Sequence, residues 1–295
     1  MQLGGVKMEF ERSLGALPSP KDKRTLLMSA ILPAFGTPRN VDYTEQMTSV
    51  GNQRGDETCV GFSIVSIREY QEKKKHGEGG WKPLSPRYLF NECDKIDAFP
   101  TCPPLGQGRG TSIYAAMQVM FDKGVCEETF WPYVGCNPCE GNNCDIGTPK
   151  EGAEQNAQKY KIKAYARLDN IFTMKRSLVV NGPCIIGLRV YGNWHTQEVE
   201  STGKIPMPPD GADPLGIGGH ALCVVGYDDD TQLFKVKNSW GKEWGEEGYG
   251  YVPYDYMERE WSEAWSVTDY IENPLGLVRA KETILDQLGE NYIEN

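Results

Sequence analysis

Residues 237–250, KNSWGKEWGEEGYG, set Asn238, Trp240 and Trp244 among glycines late in a chain of 295 residues. The stretch lies between two strand-like segments. Leu233 to Lys237 alternates apolar and polar side chains, and Gly248 to Val252 is rich in glycine and tyrosine. Taken alone, Trp240 and Trp244 read as ordinary core aromatics. Working outward, His220 to Tyr227 and Pro183 to Val190 are apolar runs, and Lys161 to Ala166 alternates as a strand does. Upstream the texture differs. Residues 59–75 put Val60, Ile64 and Ile67 on one helical face before a charged end, and Gly77, Gly79 and Gly80 stop the run. Thr111 to Lys123 reads as a second helix, with Thr111 or Ser112 as N-cap and Gly124 as terminator. A helix-rich first half and a strand-rich second half imply an α+β protein in two lobes.

The chain has 3 histidines, so the search for a proton-transfer group is short. His76 closes a helix beside glycines and reads as solvated. His195 follows Trp194 in a polar loop and reads as a surface residue. His220 begins a buried-looking strand, whose end would hold an imidazole firmly; by itself it would be a core histidine with satisfied nitrogens. Far upstream, residues 52–63, NQRGDETCVGFS, put Cys59 at the start of the first expected helix. A nucleophilic cysteine acts as the thiolate, and Asp56 and Glu57 disfavour that anion. The segment alone leaves open whether Cys59 is a nucleophile or a buried thiol.

Taken together, NQRGDETCVGFS, GGHALCVVGY (218–227) and KNSWGKEWGEEGYG resemble the glutamine–cysteine, histidine and asparagine motifs of papain-like cysteine peptidases, in the same order. The pattern is closer to bacterial and viral members than to secreted plant or animal ones, and it spans roughly residues 38–270. The resemblance implies a helical N-terminal lobe (about 55–157), a β-barrel-like antiparallel C-terminal lobe (about 158–270), and an active site in the cleft between them. It makes Cys59 the nucleophile at a helix N-terminus, where unpaired N–H groups and the dipole favour a thiolate. His220 would be the other half of a thiolate–imidazolium pair, and Asn238 would orient the ring. Gln53 and the Cys59 N–H would form the oxyanion hole, and Trp240 would shield the His220–Asn238 bond. The implied reaction is peptide hydrolysis through a thioester, by an endopeptidase because no insertion caps the cleft. Two rivals are an acyl-transferase or peptide ligase on the same triad, and an inactive binding protein of this fold. The survival of Gln53, Cys59, His220 and Asn238 counts against the second.

Some positions depart from the family pattern. Asp56 stands where a disulfide cysteine is usual, Val60 replaces a bulky aromatic, and no cysteine follows Cys223. Cys93 resembles a bridged position, with Cys126, Cys136 or another of the cluster as partner. Cys102, Cys126, Cys136, Cys139 and Cys144 leave disulfides, thiols and zinc open. A zinc site wants a tighter four-ligand pattern, so neither metal nor cofactor is expected. The usual glycine pair that reads substrate backbone is imperfect in Gln107 to Thr111, with Gly110 its best candidate. Gly187, Gly219, Ala221 and Trp240 complete the implied substrate surface. The small Gly187 and Ala221 suggest a roomy pocket for a bulky apolar residue two before the scissile bond. The helix N-terminus and His220 would have to outweigh Asp56 and Glu57, which the two carboxylates would allow by pointing away to solvent.

The remaining composition narrows the partners. The net charge of −10, with Lys73 to Lys75 as the one basic run, argues against nucleic acid. No stretch is apolar for long enough to span a bilayer, and no leader pattern opens the chain. A cytoplasmic location is the expectation, although a chain already trimmed of its leader would read the same. Expected partners are peptide or protein substrates and, in the cleft, a protein inhibitor or the chain's own N-terminal segment. Residues 1–37 form an extension broken by prolines. It is either a short pro-segment whose apolar run, 26–35, lies in or near the cleft, or an integral strap across the lobes. Asp228 to Asp230 reads as a hairpin turn rather than a calcium site. In the tail, residues 271–295, Leu277, Ile284, Leu285 and Leu288 recur at helical spacing and would dock on the body.

Overall fold

The computed structural model describes residues 13–20, 25–32, 34–97, 109–135 and 145–268. The N-terminal extension contributes β1 (Ala16–Leu17) and α1 (Met28–Ile31), and β2 (Asn40–Asp42) follows it. The helical lobe follows: α2 (Cys59–His76), α3 (Pro86–Asp97), β3 (Thr111–Ser112), α4 (Ile113–Asp122) and α5 (Ala153–Ala157). Helix α2 ends at Gly77, whose φ of 74° suits a residue without Cβ, after a last turn bearing Lys73, Lys74 and Lys75. Of the two expected caps of α4, Ser112 does the capping: its Oγ accepts the Ala115 N–H at 3.1 Å.

The expectation for α2 was a one-faced amphipathic helix, yet it is buried along most of its length. Helices α3 and α4 cover one side and the second lobe's sheet covers the other, so its polar residues are enclosed and must find partners. Arg68 pairs with Glu72 at 2.5 Å and donates to the Tyr160 carbonyl at 3.1 Å. Glu69 accepts from Thr48 Oγ1 at 2.6 Å and from the Leu84 N–H at 2.9 Å. Helix α3 went unread in the sequence. It opens on Pro86, a residue suited to the first helical turn, and buries Tyr88, Leu89, Phe90 and Cys93.

The second lobe comprises β4 (Ala164–Leu168), α6 (Ile171–Asn181), β5 (Cys184–Val190), α7 (Gln197–Thr202), β6 (Gly218–Asp228), β7 (Leu233–Lys237), β8 (Tyr249–Pro253), α8 (Tyr254–Glu260) and β9 (Trp261–Thr268). The sheet order is β4-β9-β5-β6-β7-β8, with β2 paired onto β6, and its pairings are antiparallel. The expected α+β architecture of two lobes is therefore present. One apolar cluster joins the helical lobe to the sheet face beside it; the other fills the β lobe around Trp194, Trp244 and Phe234.

The extension's apolar run does not lie in the cleft, and its residues 13–19 bond to both lobes, as a strap would. Leu27 bridges to Arg167 on β4, and Met28 is buried in the β-lobe core. An apolar run gains most by covering apolar surface, and here that surface is the sheet edge. Residues 13–19 lie in the cleft instead. Cys93 and Cys126 are both buried free thiols, so no bridge joins them. Cys102, Cys136, Cys139, Cys144 and the tail 271–295 lie outside the described residues. Among the described residues no cluster of three or more His, Cys, Asp or Glu could hold a metal, and no helix is long and apolar enough to cross a membrane. Asp228 to Asp230 does form the turn between β6 and β7, where Asp229 pairs with Lys175 at 2.5 Å.

Candidate active site

Cys59 is the first residue of α2, fully buried where the helix abuts β6. Its sulfur accepts the Ala221 N–H at 3.4 Å, so the residue after His220 touches the thiol. His220 Nε2 is 2.8 Å from Asn238 Oδ1, and its Nδ1 is buried without a hydrogen-bond partner. The ring is thus fixed through one nitrogen, and the other is left without a hydrogen bond. Asn238 Oδ1 also accepts the Ser239 N–H at 2.8 Å. The Trp240 ring stacks on the imidazole, with centroids 4.6 Å apart and planes 23° apart, and the buried Trp240 excludes water there. His195, expected as a surface residue, stacks with Trp240 as well at 5.5 Å.

Gln53 is also fully buried. Its Oε1 accepts from Ser239 Oγ at 2.6 Å, which turns its Nε2 towards the cleft. That nitrogen donates to two carbonyls, Asp56 O at 2.8 Å and Ser13 O at 2.9 Å. Ser239 escaped the sequence reading, although it adjoins Asn238 in the same motif. A carbonyl of the N-terminal segment therefore sits where the Gln53 amide can polarise it.

The segment is tied along its length. Ser13 donates through its N–H to Arg54 O at 3.4 Å and through Oγ to Gly55 O at 2.7 Å. Gly15 donates to Gly219 O at 3.1 Å and accepts from the Thr111 N–H at 2.9 Å. Ala16 and Leu17 then pair in parallel with Thr111 and Ser112. Ser19 gives its N–H (3.2 Å) and its Oγ–H (2.7 Å) to Glu263 Oε1, and its Oγ accepts the Tyr114 N–H at 3.1 Å. Small residues permit this closeness: a Cβ on Gly15, Gly110 or Gly219 would overlap a backbone oxygen of Glu57, Gly15 or Ala16 respectively.

Asp56 and Glu57 do not point away to solvent, the arrangement that would let the helix N-terminus and His220 outweigh them. Asp56 is fully buried in an ion pair with Arg87, which also donates to Val134 O at 2.7 Å and lies over the Tyr133 ring. Burial forces a charge to find a partner, and the pair links the Cys59 approach loop to α3 where the family's cystine is missing. Glu57 accepts the Gly110 N–H at 2.8 Å. Gly110 is therefore not the backbone donor to the cleft. Thr111 is, while Gly110 supplies close approach.

Burial disfavours the charged forms of both Cys59 and His220. Burial pushes the Cys59 thiol up to about 12, against the pull of the Ala221, Val60 and Gly15 N–H groups, and the Glu57 charge adds to the rise. Burial likewise lowers His220 to about 4, with Asn238 opposing and His195 adding to the fall. Both directions run against the thiolate–imidazolium pair that the motifs imply. Desolvation is the largest influence on both groups.

Comparison with known proteins agrees with this geometry. A family model described as papain family cysteine protease matches residues 37–271. A peptidase C1-like protein of Acanthamoeba polyphaga mimivirus, itself uncharacterised, is 28% identical over 295 residues, covering 90% of each chain. Xylellain, a cysteine protease from Xylella fastidiosa, superposes with a TM-score of 0.75 at 25% identity, over 91% of this chain and all (100%) of its own. A digestive procathepsin L 3 of Tenebrio molitor shares the fold at a TM-score of 0.60 and 19% identity, over 83% of this chain and 74% of that one.

Proposed function

The chain belongs to the papain family of cysteine proteases, and from that premise we propose that it hydrolyses peptide bonds through Cys59, His220, Asn238 and Gln53, and that residues 13–19 hold it latent. The carrying observation is the Ser13 carbonyl, a peptide carbonyl held at 2.9 Å by the Gln53 amide beside a buried cysteine.

In this reading the cleft opens and water reaches the pair, which moves the proton from the Cys59 sulfur to His220. The thiolate attacks the scissile carbonyl carbon, and Gln53 Nε2 with the Cys59 N–H receives the oxyanion. The C–N bond then breaks as the imidazolium gives its proton to the leaving amine, leaving a thioester on Cys59. Water, deprotonated by His220, attacks the thioester, and the acid departs as the sulfur regains its proton. Asn238 keeps the ring in position through both transfers, and Trp240 keeps water off their bond.

The direction of the segment supports latency. By family resemblance, Gly187 and Ala221 line the pocket for the second residue before the scissile bond. Ser19, bonded to the Glu263 opposite Gly187, follows Ser13 in sequence. The chain therefore runs opposite to a substrate. N-terminal sequencing during incubation between about pH 5 and pH 7 tests this, alongside hydrolysis of a fluorogenic peptide. Hydrolysis that appears as residues before about 20 are lost, and that Cys59→Ala abolishes, is the expected result. Full hydrolysis with the segment intact and undisplaced overturns the latency. No hydrolysis and no thioester in any form overturns the peptidase reading.

A further inference from the structure

The two donors assigned to the oxyanion, Gln53 Nε2 and the Cys59 N–H, are joined by the approach loop of residues 54–58. Their separation therefore depends on the shape of that loop. It turns at Arg54, whose φ of 54° is a left-handed conformation that a residue with a Cβ adopts only at a cost. Such a turn has to be held from outside.

One hydroxyl meets both ends of it. Tyr133 Oη lies 2.9 Å from the Gln53 carbonyl oxygen and 2.7 Å from Thr58 Oγ1, on the residue just before Cys59. A carbonyl can only accept, so the phenol donates to Gln53 and accepts from Thr58. Thr58 is committed to this contact: it is the N-cap residue of α2, yet its side chain makes no cap hydrogen bond. Gln53 and Thr58 are both fully buried, so a partner lost there is not readily replaced by water.

Tyr133 is itself clamped. It belongs to the loop between α4 and α5, and its N–H donates to Glu128 Oε1 at 2.6 Å. Its ring meets the Phe62 ring of α2 edge to face, with centroids 4.7 Å apart. The Arg87 guanidinium of α3 lies 4.9 Å from the Tyr133 ring centroid and donates to the carbonyl of the next residue, Val134. The hydroxyl thus has a fixed origin, and the proposed chemistry leaves it unused.

We infer that Tyr133 is a positioning residue for the oxyanion hole, its hydroxyl setting the distance between the Gln53 amide and the Cys59 N–H. This rests on the peptidase reading. Tyr133 acts only through Gln53 and Thr58. The hole matters when a carbonyl oxygen gains charge, so loss of the hydroxyl falls on acyl transfer and spares the thiol.

The test uses the full chain with its segment released, its active sites counted by a thiol-directed epoxide. Two reactions of Cys59 are compared. Cleavage of a fluorogenic peptide passes through an oxyanion, whereas alkylation by iodoacetamide displaces iodide from a saturated carbon and forms none. Tyr133→Phe keeps the ring and removes the hydroxyl. It is expected to lower kcat by about 10- to 100-fold, with KM and the alkylation rate each within about 3-fold. Thr58→Val should lower kcat likewise, and Thr58→Ser, which keeps a hydroxyl, should stay within about 3-fold of the unmutated chain. Should Tyr133→Phe fold poorly, the epoxide count reveals it, and the two Thr58 variants decide alone. An unchanged kcat, or a fall shared equally by alkylation, overturns the inference and leaves the peptidase reading intact. Absence of both label and cleavage in the unmutated chain overturns the peptidase reading, and the inference with it.

Discussion

The side-chain amide of Gln53 donates to the backbone carbonyl of Ser13 at 2.9 Å, so the group that would steady a reaction intermediate is already engaged by the chain's own N-terminus. Most of what can be measured on this protein follows from how firmly that engagement is held.

Gly15→Ala should loosen it. The added methyl would overlap the Glu57 carbonyl, a backbone atom that cannot swing aside. Overpacking of this kind costs roughly 1–3 kcal/mol, and it falls on the closed state alone. The expected outcome is a rise of about 10-fold or more in the rate at which a fluorogenic peptide is cleaved, with the melting temperature of the body little changed.

Closure should depend on pH in a definite direction. His220 ordinarily titrates near 6.5 and sits at about 4 when covered. Between those values the open form binds more protons, so closure is strongest above 6.5 and weakens as the pH falls towards 4. Cys59 acts at the other end. Its thiol is raised from 9.0 to about 12, so its contribution is complete below 9.0 and is lost as the pH rises beyond. Hydrogen exchange at the Gly15 amide, corrected for intrinsic rates, should show an opening constant about 10- to 100-fold larger near pH 4.5 than near pH 7. A flat profile would mean that the segment does not keep His220 dry.

The Asp56–Arg87 pair should be structural. Asp56→Asn strips a fully buried arginine of its counter-charge and should destabilise the fold by about 3–5 kcal/mol, read by urea denaturation. Glu57→Gln should behave differently. It keeps an oxygen for the Gly110 N–H and removes a charge that raises the thiol, so the acid limb of the released enzyme's pH–rate profile should move to lower pH.

Asn238→Ala should leave the thiol able to react but the imidazole poorly aimed. Loss of kcat by about 100-fold or more is expected, with KM changed little, because the 2.8 Å bond from His220 orients the ring and touches no substrate. A change confined to KM would contradict that role.

Much of this was legible in the residues. Cys59, His220 and Asn238 stand in short motifs whose local order survives into the structure, and β6 and β7 announce themselves by apolar runs and alternation. Helix α3 was missed because Arg87, Glu92 and Asp94 hide its apolar face among charges that turn out to be paired. Contacts between distant segments were less accessible. Nothing near Asp56 in sequence indicates Arg87, and nothing near Ser19 indicates Glu263. The burial of Cys59 and His220, which disfavours their charged forms, was inaccessible for the same reason, since motifs report which residues occur and not what covers them.

The central claim is that Cys59 is a nucleophile kept covered by residues 13–19. Mass spectrometry of the chain after brief exposure to a thiol-directed epoxide tests it most directly, with peptide mapping of the adduct. The account predicts a single adduct on Cys59, slow in the intact chain, fast in Gly15→Ala and after loss of the segment, and absent in Cys59→Ala. Equally fast labelling of the intact chain and Gly15→Ala, or an adduct on another cysteine in place of Cys59, would contradict it.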